Sequence, residues 1–418
     1  MLKHYLLVGF RNLARYKKQT IFSIFGLAVG FVCFTMSAYW LQYEMTYDSF
    51  HSKKDRIYLL VQDRYMGKYS QDLLPAPLSV YMKENFPEVE QASCTNARIR
   101  FTEEGEDHGA NYLFVDSAFF DIFDVEVVSG SVKALHSGQN GLIISDDYAA
   151  RRQQGNASTI KLFKGSPNEK EYSVSATVKS WGHSNFPFDF IFPADQSSWK
   201  NWDRQGGYIY VLLRKGVDVN AFKEKLKKLD LSEKSFILNS ENAEFRICPV
   251  EKVHYDEKIG DNGNLKFNQI VLFSIAGFFV ILCLLFNYLS LFISRIQTKK
   301  RELALRIVNG ASDKNLFALL SVEFILVLLF AILLGFILIE WLLPWFMEFA
   351  KIGESTGIVY GGLLLYVLGL LIISLLLALY PIYFFKRDTL QSSLQQGSVR
   401  SRNLFRRGVL IFQLLVGI

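Results

Sequence analysis

The chain has 418 residues, 50% hydrophobic, 15% aromatic and 21% charged, with a formal net charge of +6. An ordinary soluble domain is also about half apolar, so only the distribution of these residues is informative. They gather in long runs toward both ends, which excludes a wholly soluble globule. The basic excess sits in short stretches beside those runs, which excludes a nucleic-acid surface as its explanation.

In chain order, residues 1–19 combine Leu2, Tyr5, Leu6, Val8, Gly9 and Leu13 with Lys3, Arg11, Arg15, Lys17 and Lys18. Such a stretch predicts an amphipathic helix lying in the cytoplasmic membrane interface. The run Ile21–Leu41 is long enough to cross a hydrocarbon core about 30 Å thick, and a first span is placed at 20–42. It is too long for the apolar core of a secretory signal and no A-x-A-like site follows, so an uncleaved anchor is expected. Gly26 and Gly30 form a G-x-x-x-G pair that lets another helix approach closely.

Residues 43–267 read as a water-soluble α+β domain. Strand patterns fall at Arg56–Gln62, Gly141–Ser145, Tyr172–Lys179 and Tyr208–Arg214, and helical patterns at Leu78–Phe86 and Val219–Leu229. Cys94 and Cys248 lie in this domain, where a disulfide is chemically permitted, but no framework spacing pairs them. Further spans are expected at 268–293, 316–343 and 359–385, separated by a cytoplasmic segment, 294–315, and a short outer loop, 344–358. A cytoplasmic connector, 386–408, leads to 409–418, apolar but only about 15 Å long as a helix and so the start of a fifth span. The three basic stretches, at the N-terminus, between spans two and three and after span four, all fall on one side. That side is the cytoplasm, so the large domain lies outside. Cys33 and Cys283 sit within spans as small packing residues. Glu340 is expected to snorkel to the interface, and Glu323 to pair with a basic residue such as Arg306 or Lys314.

Few residues point to chemistry. The chain has no phosphate-binding loop G-x-x-x-x-G-K-[ST] and no G-x-S-x-G elbow. His4, His51, His108, His136, His183 and His254 show no zinc-type spacing. No catalytic, cofactor-binding or metal site is therefore assigned. The segment Lys299–Asn315 (KKRELALRIVNGASDKN) is the most informative. Leu303, Leu305, Ile307 and Val308 supply an apolar stripe, and Lys300, Arg301, Glu302 and Arg306 cover the other faces. Periodicity alone leaves two readings open: a solvated turn between spans, or an amphipathic helix docking into a partner's groove.

That segment resembles the coupling helix of FtsX-like, MacB-type permeases of ABC transporters, R-E-I-x-x-R-x-x-x-G-A, with Arg301, Glu302, Leu303, Arg306, Gly310 and Ala311 in the matching places and Asn309 where leucine is more usual. The opening FRNLARYKKQTIFSIFGLAVG is similar to the start of that family. EMTYDSFHSKKDRIYLL resembles the segment after span one in its Bacteroidetes-type branch, and NFPEVE, FVDSAFFDIF, GLIISDDYA and LYPIYFFKRDTLQSSLQ follow in family order. The resemblance implies a helical bundle of four spans plus the start of a fifth, with an inserted periplasmic α+β domain of the MacB core type, in the inner membrane. It implies no enzyme activity in this chain. ATP would be bound by a separate cytoplasmic ABC ATPase dimer docking on Lys300, Arg301, Glu302, Leu305, Arg306, Gly310 and Ala311, and its closure would move the periplasmic domain. Family substrates suggest export or extraction of a peptide, lipoprotein or antimicrobial compound. Because members of this branch carry two concatenated halves, the partners would include a second permease half or copy, besides membrane lipids. The competing readings are a membrane-anchored sensor or binding protein, which leaves spans three and four idle, and a membrane-bound enzyme.

Overall fold

A computed structural model describes residues 2–298 apart from the segments 65–68, 102–109, 137–139, 152–158, 163–169, 195–199, 239–242, 257–258 and 260–266. It also describes Leu305, 313–350, Ile352, 360–369, 371–373 and Leu376. The chain divides into two units, one of Met1–Tyr43 with Asn268–Ile418 and the other of Glu44–Phe267.

The first unit is helical. It contains α1 (Leu2–Arg15), α2 (Lys17–Met45, whose last turn enters the second unit), α7 (Phe267–Thr298) and α8 (Asp313–Phe349). Among the described residues, two helical segments are long and apolar enough to cross a membrane, Lys17–Met45 and Ser321–Phe349; Val271–Cys283 and Tyr360–Ile373 are shorter apolar helices. Leu13 of α1, Leu27 and Phe31 of α2, Ile281 and Leu285 of α7, and Phe324, Val327 and Ala331 of α8 share one buried core. Small residues set the approach of the helices. A Cβ on Gly277 would lie 2.9 Å from Ser37 Oγ, one on Gly335 would lie 3.7 Å from Ala28 O, and one on Gly362 would lie 2.6 Å from the Tyr39 ring. Gly30 is buried and Gly26 half-buried. The amphipathic α1 packs along α8, with Gly9 beneath Leu326, Phe10 edge-on to Phe330 and Asn12 Nδ2 donating to Glu323 Oε2 at 3.3 Å. The buried Glu323 thus meets an amide on α1; the side chains of Arg306 and Lys314 lie outside the described residues. Glu340 accepts a hydrogen bond from the Tyr360 hydroxyl.

The second unit is built on a 12-stranded mixed sheet, in the order β12-β1-β11-β4-β5-β10-β7-β9-β6. The strands are β1 (Ile57–Arg64), β2 (Tyr69–Gln71), β3 (Leu73–Leu74), β4 (Val89–Phe101), β5 (Ala110–Val115), β6 (Val127–Gly130), β7 (Gly141–Ser145), β8 (Thr159–Leu162), β9 (Lys170–Val178), β10 (Phe190–Pro193), β11 (Gly207–Leu213) and β12 (Glu244–Pro249); β2, β3 and β8 pair beside β1, β11 and β9. Successive strand residues point to opposite faces, and both faces are covered. Ile57, Leu59, Tyr210, Leu212, Leu113, Ile143 and Ile191 form a single core on one face. On the other face Tyr58, Leu60, Ile209 and Val211 pack with α3 (Pro77–Asn85) and α6 (Val219–Lys227), while Tyr112, Leu142, Ile144 and Phe190 pack with α5 (Asp146–Arg151). Burial on both sides explains why β7 and β11 read as near-continuous apolar runs. Asp218 caps α6, its carboxylate accepting from Asn220 N at 2.9 Å and Ala221 N at 3.2 Å.

One glycine is fixed by close approach. A Cβ on Gly207, at the start of β11, would lie 2.2 Å from Thr95 O, a backbone atom of β4 that no side-chain rotation can move. Gly207→Ala is expected to cost about 3 kcal/mol or more. Urea unfolding of the domain 44–267 measures this, and a loss under about 1 kcal/mol would show that the two strands can part freely.

The structure also answers the cysteine question. Cys94 pairs with Ile209, Ile209 with Leu60 and Leu60 with Ile247, which neighbours Cys248, so two strands lie between β4 and β12. That separation is about 14 Å at ordinary strand spacing, beyond disulfide reach. Both thiols are free and buried, and burial pushes each up to about 12.

Candidate functional site

The segment 294–315 is described only in part. Residues up to Thr298 end α7, Leu305 is helical and 64% exposed, and α8 begins at Asp313. Lys300, Arg301, Glu302, Arg306, Gly310 and Ala311 lie outside the described residues.

A second site, unassigned from sequence, lies where the domain's chain begins and ends. The last turn of α2 carries Glu44, and the turn after it carries Tyr47 and Asp48. Asp48 has a φ of 54°, a left-handed conformation that Asp and Asn tolerate better than most residues. Its N–H donates to His183 O at 3.2 Å, which joins the turn to the segment 181–188. At the other end of the domain, β12 runs into a 3₁₀ turn, Val250–Tyr255, which presents His254.

These pieces connect through side chains. His254 Nε2 lies 2.7 Å from Glu44 Oε2 and His254 Nδ1 lies 2.9 Å from Asn185 Oδ1. Asn185 donates to Asp48 Oδ2 through Nδ2 at 2.6 Å and through its backbone N–H at 3.2 Å. The Tyr47 ring stacks on the His254 imidazole, with centroids 3.5 Å apart and planes within 4°, and meets His183 edge-on at 4.2 Å. Glu44 and His254, 210 positions apart in sequence, are thereby tied together. Arg246 secures the same end by bridging Asp63 of β1 at 2.8 Å and Asp256 at 2.8 Å.

Two groups here titrate far from their ordinary values. Burial pushes the Asp48 carboxyl up to about 6, partly offset by Ser184, Asn185 and the nearby His254. His51 accepts from Asp124 N through Nδ1 and is packed among Phe50, Phe123 and Trp181; burial lowers it to about 4, partly offset by Asp124. His51 is thus a neutral core residue. Among the described residues, no three His, Cys, Asp or Glu side chains converge on a metal-sized site.

Residues 20–229 match the model of the MacB-like periplasmic core domain, and residues 274–390 match that of the FtsX-like permease C-terminal region. Three solved structures are similar to the chain. One, a domain of a protein classed as a permease from Porphyromonas gingivalis, shares 20% identity and covers 48% of this chain and 92% of its own, with a TM-score of 0.40. The periplasmic region of MacB from Actinobacillus actinomycetemcomitans shares 11%, covers 47% and 90%, and has a TM-score of 0.34. The extracellular domain of the ABC-type transporter YknZ from Gram-positive bacteria shares 16%, covers 46% and 99%, and has a TM-score of 0.30. No curated protein matches the chain. With the core-domain model spanning half of its residues and the permease model following in the second half, the chain belongs to the MacB/FtsX-type family of ABC-transporter permeases.

Proposed function

We propose that the chain is a non-catalytic permease subunit that converts the closure of a separate cytoplasmic ABC ATPase into movement of its periplasmic domain. Four spans carry it in the inner membrane, with the N-terminus cytoplasmic and 294–315 as the docking helix. The observation that supports this reading most directly is covalent. The domain Glu44–Phe267 is inserted in the chain between two helices, α2 and α7, and is covalently continuous with them at its first and last residues. Displacement of either helix therefore acts on the domain at those points. Aromatic residues near the end of α8, Trp341 and Trp345, are 73% and 74% exposed, as suits the headgroup level of a span. The cargo class that fits is a peptide, lipoprotein or antimicrobial compound handled outside the inner membrane.

The test is charge reversal at the docking helix. The double substitution Arg301→Glu, Arg306→Glu is expected to abolish co-purification of the cytoplasmic ATPase and to cut coupled ATP hydrolysis at least tenfold, since two charge-assisted contacts become repulsive. Association and hydrolysis at the unsubstituted level would overturn the reading.

A further inference from the structure

The tie between Glu44 and His254 has a proton requirement that follows from its geometry. Asn185 Nδ2 donates to the Asp48 carboxylate, so Asn185 Oδ1, an acceptor, faces His254 Nδ1. Glu44 Oε2, also an acceptor, faces His254 Nε2. A neutral imidazole has one N–H and one lone pair, so it can satisfy only one of these neighbours. Rotating the Asn185 amide relieves His254 but sets its oxygen against Asp48 Oδ2 instead. Protonating Glu44 satisfies Nε2 and still adds a proton. Every closed arrangement of the four groups therefore holds one proton more than two carboxylates and a neutral imidazole.

We propose that Glu44, His254, Asn185 and Asp48 form a one-proton latch between the end of α2 and the segment before α7, closed while that proton is held and opened when rising pH removes it. Asp48 is a second resting place for the proton, since burial already favours its neutral form. Tyr47 covers the imidazole face with His183 beyond it, and Tyr210 lies close enough to Asp48 to interact with its charge. On the histidine's own element Glu251 is paired with Lys54 at 2.9 Å, and beyond it Asp256 is held by Arg246. The latch stands on the domain's geometry; only its consequence for transport, weaker coupling in alkaline surroundings, rests on the permease reading.

Hydrogen exchange on the full chain in lipid nanodiscs tests the latch without any ATPase, so failure of the docking-helix test leaves it untouched. After correction for intrinsic exchange, amides at 183–186 and 250–256 are expected to lose about tenfold protection between pH 5.5 and pH 9, relative to amides of β11. Glu44→Gln should remove that pH dependence and leave the segments protected at pH 9. Its amide donates to Nε2 of a neutral imidazole, whose Nδ1–H then satisfies Asn185. Unchanged protection of the unsubstituted chain at pH 9 would overturn the proposal, as would a Glu44→Gln chain that opens with pH as the unsubstituted one does.

Discussion

Replacing Asp116 with alanine is expected to remove about 4 kcal/mol from the stability of the domain 44–267. Asp116 follows β5 and is 7% exposed. Oδ1 accepts from Ser93 Oγ at 2.8 Å and Phe119 N at 2.9 Å, and Oδ2 accepts from Cys94 N at 3.0 Å. Alanine would leave three buried donors without this acceptor, two of them backbone groups that cannot turn away. The contact to Phe119 N also sets the start of the one-turn helix α4 (Phe119–Ile122), which delivers Phe119, Ile122 and Phe123 to the core beneath the sheet. Against a total stability of order 5–15 kcal/mol, the loss would unfold a large share of a marginal domain at 37 °C. Urea denaturation of Asp116→Ala and Asp116→Asn measures it. Asparagine keeps the oxygen that serves Ser93 and Phe119 but sets an NH₂ against Cys94 N–H, so roughly half the cost should remain. Equal, small losses in both variants would show that the carboxylate is dispensable.

Asp48→Asn should act in the opposite direction, raising stability at pH 7.5 by about 2–3 kcal/mol. The folded carboxyl is raised from 3.8 to about 6, so folding is favoured by the protonated form. That contribution is complete below pH 3.8 and is lost as pH rises through 6, leaving a buried charge at neutral pH. Asparagine keeps the acceptor for Asn185, carries no charge and tolerates the left-handed backbone at this position. His51 works with the reverse sign. Lowered from 6.5 to about 4, it contributes stability above pH 6.5 that is lost as pH falls through 4. In the unsubstituted domain the two dependences oppose each other, and stability between pH 4 and 6.5 should vary little on their account. Asp48→Asn leaves only the histidine term, so its stability should drop on acidification across that window. Melting curves at pH 4, 5.5 and 7.5 check this. A variant less stable than the unsubstituted domain at pH 7.5 would mean that hydrogen bonds to the carboxylate outweigh its burial.

How much of this was legible in the sequence varied with the physical signal. The strand reading Gly141–Ser145 coincides with β7, and the readings near 57, 172 and 208 fall on β1, β9 and β11 within two residues, because apolar runs report burial directly. The helices α3 and α6 announced themselves by period. Strand β6 gave no such sign, since Val127–Gly130 is exposed at the sheet edge and carries no inward-facing pattern. The helical runs were visible from length and hydropathy. The Asn12–Glu323 contact was not, since it joins residues 311 positions apart. The latch was hidden for the same reason. Glu44 and Asp48 lie in the segment EMTYDSFHSKKDR, which stood out by resemblance, but Asn185 and His254 are isolated polar residues with no spacing to connect them. Four polar side chains from distant segments leave no periodicity; only the fold assembles them.

The placement of β1 beside β12 bears on how the domain withstands tension. Tyr58, near the start of β1, sits opposite Pro249 at the end of β12, so both tethers leave the sheet at the same end of one antiparallel pair. Pulling the tethers apart would unzip that pair rung by rung, and each rung resists only with its own hydrogen bonds. Glu44 and His254 meet before the strain reaches the first rung. They act as a knot at the mouth of the zipper, and cutting it should lower the force at which the sheet begins to peel.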